Sequence, residues 1–277
     1  MSNRIISFIG GGNMTTSLIG GIIKTGHDPK CLRASDPDAV RRKALQDHFG
    51  IATDETNLRV IEGAETVVFA VKPQFMRQVV MESADAIRNH RPLIVSVAAG
   101  IREPDMRRWL GFDTAIVRAM PNTPALVMSG ASALFANSEV SPRQRDQAES
   151  LLRAVGITIW VDAEAQMDTV TALSGSGPAY FFLVMEILEA IGRNMGLPRD
   201  QARILTLETA FGAAKMALES PDELHTLRTR VTSPGGTTER ALAVLEQGNI
   251  AELFGRAVRA ARDRSVELGD RFGDDHG

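Results

Sequence analysis

The stretch running Val231-Thr-Ser-Pro-Gly-Gly-Thr-Thr238 gathers groups able to hold a small anion. Pro234 fixes its own φ, and Gly235 and Gly236 reach backbone angles closed to other residues. Ser233, Thr237 and Thr238 add hydroxyls that both donate and accept. The run opens into a helical pattern from Glu239 to Glu246, with Thr237 or Thr238 as its natural N-cap. A glycine loop feeding a helix presents unpaired N–H groups and the positive end of the dipole, which suits a carboxylate. The same spacing also describes an ordinary Ser/Pro/Gly turn with a helix cap. A second glycine loop, at the other end of the chain, decides between them. There Gly10-Gly-Gly-Asn-Met-Thr15 follows an apolar run and opens a helical stretch. Gly10 makes the tight turn of a dinucleotide loop, and Gly12 lets a pyrophosphate approach the backbone. The third glycine position holds Thr15, which is expected to crowd the helix against the strand. The ribose selector belongs about 20 or more residues on. The chain reads Arg33-Ala-Ser-Asp-Pro37 there, with Arg41 and Arg42 following. Neutral Ser35 with nearby arginines suits a 2′-phosphate, whereas Asp36 suits the free 2′-hydroxyl of NAD; both stay open.

The elements that must position these loops follow from periodicity. Arg4–Ile9, Cys31–Ser35, Glu65–Val71, Leu93–Val97, Ala115–Ala119, Ala131–Ala136 and Ile157–Val161 read as strands. Between them, residues 14–25, 37–48, 74–88 and 141–155 read as helices. Strands alternating with helices mean βαβ units and a mainly parallel sheet, here a Rossmann-like dinucleotide-binding domain over residues 1–162. After Asp162 the chain shows only helical segments, at 178–195, 200–218 and 250–268. The first of these is apolar on nearly every face, so a partner subunit is its expected cover. Residues 163–277 are therefore expected to form a helical domain for substrate binding and dimerisation. The last helix carries Ile250, Leu253, Phe254, Ala257, Val258 and Ala261 on one stripe, and the glycine-rich tail from Gly269 is expected to fray.

Composition sets the remaining bounds. The 277 residues suffice for one large domain or two smaller ones, and a formal charge of -3 argues against a nucleic-acid partner. The single Cys31 makes no internal disulfide, and no cysteine cluster points to a metal. No uninterrupted apolar run is read as long enough to span a bilayer, and a strand pattern begins too early for a signal peptide. A cytoplasmic, reducing setting, with no membrane partner, is the expectation.

Seven motifs, in order, carry a family resemblance over about residues 3–268. They are Phe8-Ile-Gly-Gly-Gly-Asn-Met14, Ala70-Val-Lys-Pro73, Ala98-Ala-Gly100, Arg118-Ala-Met-Pro-Asn-Thr-Pro124, Leu173-Ser-Gly-Ser-Gly-Pro-Ala-Tyr180, Gly212-Ala-Ala-Lys-Met216 and Thr232-Ser-Pro-Gly-Gly-Thr-Thr238. The chain resembles the pyrroline-5-carboxylate reductases, which catalyse the last step of proline synthesis. The resemblance implies an N-terminal domain holding NADPH, with NADH as the other option, and a helical domain swapped into a dimer or a ring of dimers. It places the cofactor on Ile9, Gly10, Gly11, Gly12, Asn13 and Met14, on Ser35 and Asn57, on Ala70, Val71, Lys72 and Pro73, and near Ala98. It places the carboxylate of 1-pyrroline-5-carboxylate on the loop containing Ser233, Gly236, Thr237 and Thr238. Thr238 then lies near the ring nitrogen as the catalytic hydroxyl, and Val231 lines the pocket. Two departures stand out. A His-Pro pair and a Leu-Lys-Asp run common in the family are replaced by Glu223-Leu224 and Leu227-Arg228-Thr229. An acidic residue near the substrate in some members aligns with Pro221, leaving Asp222 as the nearest replacement.

The implied chemistry fits these residues. A cyclic imine reaches the enzyme already protonated, so hydroxyls and amides that orient it suffice, without a strong general acid. That agrees with histidines 27, 48, 90, 225 and 276 falling outside the motifs. Two rivals are weaker. A β-hydroxyacid dehydrogenase needs a lysine on the first helix of its second domain, and residues 174–195 hold none. A non-catalytic NAD(P) sensor has no use for the anion loop at 232–238.

Overall fold

The computed structural model describes residues 4–274. They divide into two compact units, residues 4–176 with 261–274, and residues 177–260. The expected division at 162/163 marks where strands cease, but contacts draw the boundary elsewhere. Residues 163–176 and the end of the last helix belong with the sheet: the Ser265 hydroxyl donates to Asp168 (2.6 Å) and Arg102 pairs with Asp270 (2.6 Å).

The first unit is built on strands β1 (Ile6–Ile9), β2 (Leu32–Ser35), β3 (Ala52–Asp54), β4 (Thr66–Phe69), β5 (Leu93–Ser96), β6 (Ile116–Met120), β7 (Gly130–Ala136) and β8 (Gly156–Trp160). They form one eight-stranded sheet ordered β3-β2-β1-β4-β5-β6-β7-β8. Every pairing is parallel except β6 with β7. Helices α1 (Asn13–Lys24), α2 (Ala39–Phe49), α3 (Asn57–Ile61), α4 (Pro73–His90), α5 (Glu103–Leu110) and α6 (Pro142–Arg153) connect the strands. Neighbouring strand residues point to opposite faces, so Phe8, Val68, Val95 and Val117 join one core cluster, with Leu18 and Leu152. Ile9, Val67, Ile94 and Ile116 join the other, with Met76 and Ile87. Burying each such side chain contributes about 1.5–3 kcal/mol, and covering both faces explains strands that are apolar throughout rather than alternating. The chain leaves β1 toward β2 and β3, then returns to β4 on the other side. That reversal beside β1 opens a crevice at the carboxyl ends of the strands.

After β8 come α7 (Gln166–Val170) and a π-turn at Thr171–Gly175, still within the first unit. The second unit contains α8 (Gly177–Asn194), α9 (Arg199–Glu219), α10 (Leu224–Arg230), α11 (Thr237–Gln247) and the start of α12 (Ile250–Gly273). Across residues 177–260 only Gly177 and Ala202 are buried. Phe181 is 69% exposed and Phe211 65%, so this unit leaves its apolar faces uncovered by its own chain.

By length and composition alone, the helix over residues 166–194 is apolar enough to cross a bilayer, although Asp168, Glu186, Glu189 and Arg193 interrupt the run. Two expectations need correcting. The tail from Gly269 is helical through Gly273. A Cβ at Gly269 would lie 2.8 Å from Nε of Arg102, so that glycine lets a guanidinium lie against the helix, where it bonds Val266 O and Asp270. Thr15 does not crowd the loop: it is fully buried and its hydroxyl donates to the carbonyl of Gly10.

Candidate functional site

In the first unit, a cleft of about 1320 Å³ lies beside the ends of β1, β2 and β4. Its floor is the glycine loop. Gly10 holds φ at +99°, and an added Cβ would sit 2.8 Å from the carbonyl oxygen of Ala70, so only glycine fits. The Gly10 N–H donates to Ser35 O (2.8 Å), tying the loop to the end of β2. Gly12 is the N-cap of α1, with no side chain capping the helix, and a Cβ there would meet nothing within 4 Å. Uncapped N–H groups above open space form a cradle for a pyrophosphate, so the residues fit a dinucleotide.

The end of β2 ties the loop to the sheet. Both oxygens of the Asp36 carboxylate accept backbone donors, Oδ2 from the Gly11 N–H (2.8 Å) and Oδ1 from the Asp38 N–H (2.9 Å). Asp36 is 5% exposed and braces the loop while lining the cleft. Ser35 is fully buried, and its hydroxyl donates to Asn57 Oδ1 (2.8 Å). The two arginines separate. Arg42 donates to the carbonyls of Asp36 (2.7 Å) and Pro37 (3.0 Å), while Arg41 lines the cleft, 3.6 Å from Asp36. Asp54, ending β3, is held below the usual carboxylate value by the N–H and hydroxyl of Thr56, each at 2.8 Å.

Gly10, Gly11, Gly12, Asn13, Met14, Ser35, Asn57, Ala70, Val71 and Lys72 all line this cleft. Ile9, Pro73 and Ala98 do not: Ile9 and Ala98 belong to the core, and Pro73 begins α4. Sequence reasoning missed His48 and Phe49, which pack edge-on with centroids 4.4 Å apart, and Phe75 and Glu82 of α4. Nothing in a charged surface-helix pattern marks its last turn as cleft wall. His276 lies outside the described residues.

Two further motifs meet in this unit. Asn122 donates to Ser174 O (3.2 Å) and Oγ (3.3 Å), and its own oxygen accepts the Ala131 N–H (2.9 Å). Nearby, buried Arg118 pairs with Glu164 at 2.8 Å. These groups fix the segments after β6 and α7; removing one partner of such a buried pair costs about 3–5 kcal/mol.

The anion loop belongs to the second unit. Val231, the C-cap of α10, is 60% exposed, and the Thr232 hydroxyl donates to Arg228 O (2.6 Å). Ser233 to Gly236 close a tight turn, with the Gly236 N–H on Ser233 O (3.0 Å) and Gly235 at φ +73°. The N-cap of α11 is Gly236, not Thr237 or Thr238, which are its first helical residues. The turn allows nothing larger: a Cβ on Gly236 would lie 2.9 Å from Ser233 O. No side chain caps α11, so neither threonine hydroxyl is engaged in that role. The Gly235 N–H donates to Glu239 Oε2 at 2.7 Å. Asp222 is committed to Arg230, which bonds both of its carboxylate oxygens.

Comparison with known proteins places the chain in a family. The family model for pyrroline-5-carboxylate reductase dimerisation matches residues 164–268. A model described as NADP oxidoreductase coenzyme F420-dependent matches residues 5–100. The pyrroline-5-carboxylate reductase of Pseudomonas aeruginosa is 49% identical, covering 99% of this chain and 100% of its own length. That of Pasteurella multocida is 41% identical over 98% of this chain and 100% of its own. The solved pyrroline-5-carboxylate reductase of Coxiella burnetii has a TM-score of 0.92 and 44% identity, covering 96% of this chain and 99% of that one. A pyrroline carboxylate reductase from Plasmodium falciparum, solved with NADP bound, has a TM-score of 0.86 and 28% identity over 97% and 99% of the two chains. With full-length identity at this level and both loops in place, the chain belongs to the pyrroline-5-carboxylate reductase family.

Proposed function

We infer that this chain is an oxidoreductase that reduces the C=N bond of 1-pyrroline-5-carboxylate to give L-proline, the last step of proline biosynthesis. The observation that carries this reading is the full-length match to reductases of that name, at 49% identity over 99% of the chain. The chemistry of the residues supports it. When bound, a nicotinamide cofactor supplies a hydride to the imine carbon. The glycine loop from Gly10 to Met14 and the cradle at Gly12 hold and orient the dinucleotide, with Ser35 and Asn57 at the ribose end. The loop at Ser233, Gly236, Thr237 and Thr238 offers backbone N–H groups and hydroxyls to a carboxylate, and the Thr238 hydroxyl orients the ring nitrogen. Val231 gives the ring an apolar contact. Ala70, Val71, Lys72, Pro73 and Ala98 support the nicotinamide end.

NADPH is the proposed cofactor, supported by half-exposed Arg41 at the cleft and by the engagement of Asp36 with backbone donors. The dimerisation-family match accounts for the uncovered apolar faces of residues 177–260 by self-association. We propose a dimer as the smallest folded species, a ring of dimers as the larger assembly, and a cytoplasmic location without nucleic-acid or membrane partners. A sedimentation run showing a compact, active monomer of 30.0 kDa would remove the dimer from this reading. The deciding assay follows oxidation of NADPH and NADH with the cyclic imine as substrate. Proline formation with stoichiometric cofactor oxidation is expected; no turnover with either cofactor would refute the activity.

A further inference from the structure

The anion loop carries its own carboxylate. Glu239 lies in the first turn of α11, and its side chain reaches back to accept the Gly235 N–H at 2.7 Å. The neighbouring Gly236 N–H is already closed onto Ser233 O at 3.0 Å. A carboxylate on a backbone N–H of a glycine loop at a helix N-terminus is the same chemical arrangement that the substrate requires. Glu239 and the substrate carboxylate therefore seek the same kind of donor on the same turn, and a substrate oxygen that extends from the Gly236–Thr238 N–H groups to the Gly235 N–H must displace Glu239. Two carboxylates sharing one donor also repel each other at short range.

We propose that Glu239 is an internal competitor for the substrate's carboxylate: it holds the Gly235 N–H, yields it when substrate binds, and thereby sets the substrate affinity. This rests on the assignment of the 233–238 loop to the imine's carboxylate. Glu239 touches no reacting atom, so it is a specificity-determining residue and not a catalytic one. Its effect falls on carboxylate ligands of the loop and leaves cofactor affinity unchanged. Its charge near the N-terminus of α11 also stabilises the helix, and that contribution must be separated from the competition.

Three substitutions make the separation. Glu239→Gln removes the charge and keeps the side-chain length. Glu239→Ala removes the side chain. Glu239→Asp keeps a charge in the first turn but is one methylene shorter, too short to keep the bond in its present geometry. Competition predicts that KM for the imine falls by roughly threefold to tenfold in all three, with kcat within about twofold of wild type. A purely structural role predicts the opposite split: KM rises in Glu239→Gln and Glu239→Ala as the loop loses support, the melting temperature falls, and Glu239→Asp restores both.

Binding of L-proline, followed calorimetrically with wild type and each variant, gives a readout independent of turnover. Tighter proline binding in Glu239→Gln and Glu239→Ala upholds the competition, and unchanged or weaker binding overturns it. A wild-type protein that binds proline without reducing the imine would refute the proposed activity while leaving the Glu239 result to be read from the titration. A wild type that binds no proline and turns over no imine would remove the loop assignment and this proposal with it. If Glu239→Ala fails to fold, the glutamine and aspartate variants decide by the same criteria.

Discussion

Substituting Gly12 by alanine separates a ligand role from a structural one, because the protein itself leaves that position empty. A Cβ at Gly12 meets no atom within 4 Å, and the residue sits at φ -78° and ψ -173°, which alanine adopts without strain. Alanine is a poorer N-cap than glycine by roughly 0.5–1 kcal/mol, and removing a glycine's unfolded-state freedom returns about 0.4–1 kcal/mol. The two nearly cancel, so Gly12→Ala should melt within about 2–4 °C of wild type, the shift that ~1 kcal/mol makes in a domain of this size. The bound cofactor feels the methyl differently. A methyl in the cradle pushes a pyrophosphate off the helix N–H groups, and one lost charge-assisted bond of about 1.5–3 kcal/mol weakens binding roughly tenfold to a hundredfold. Gly10→Ala is the control with the inverse signature. Its φ of +99° and a 2.8 Å approach to Ala70 O make alanine strained there, so stability itself should fall, by about 1–3 kcal/mol. Thermal melting, run beside a fluorescence titration with NADPH, reads both quantities. A Gly12→Ala protein that binds NADPH as wild type does would show that the open space is not where the phosphates lie.

Thr238→Val keeps shape and loses the hydroxyl, so kcat/KM for the imine should drop roughly tenfold to a hundredfold. Because Gly236 caps α11, the melting temperature should hold; normal kcat/KM in the folded variant leaves the hydroxyl without a substrate role. Arg41→Ala should weaken NADPH about tenfold and NADH little, since one half-exposed cation facing a phosphate is removed, whereas equal losses for both would show that Arg41 is not the selector. Glu149 is held below its ordinary value of 4.5, first by the Trp160 indole N–H, against a desolvation penalty, and then by Arg153. A depressed folded value contributes stability above the unfolded value, and that contribution is lost as pH falls through the folded one. Acid titration below pH 4.5 should therefore shift Trp160 emission in wild type but not in Glu149→Gln, and identical curves would contradict this.

The parts of the fold legible in the sequence are those encoded by short-range periodicity. Seven of the eight strands are visible as apolar runs; burial of both sheet faces explains this except at β8, where Ile157 and Ile159 stand exposed. The eighth, Ala52–Asp54, is three residues long, half-exposed and at the sheet edge, so it carries no apolar run to read. Helix α5 is hidden for a related reason: its eight residues include four charges, and two of its acids are buried, Glu103 against Asn137 beyond β7 and Asp105 against Arg108 of the same helix. The glycine loop is legible down to the individual residue, since Gly10 answers a backbone constraint that no other residue meets. Asp36 is not: the sequence leaves it open as a ribose ligand and gives no sign that its oxygens also brace the loop through the Gly11 and Asp38 N–H groups.

The second unit reverses this relation between pattern and structure. An apolar helix such as α8 is read from sequence as one that must be covered, with a partner subunit as its cover, and in the single chain Phe181, Phe182 and Ile187 stand exposed. Both statements hold if the core is completed by another copy, which is the cover implied by the dimerisation-family match. Hydrophobic burial is what stabilises a helical unit, and residues 177–260 bury only Gly177 and Ala202 within one chain. The anion loop between α10 and α11 thus sits in a unit whose stability comes chiefly from association. Its geometry, with Gly235 in a left-handed turn and Gly236 closed on Ser233, depends on a scaffold that one chain does not finish. On the proposed assignment of the substrate to this loop, substrate affinity should therefore depend on assembly, while the dinucleotide cleft rests on a sheet unit with its own two-sided core.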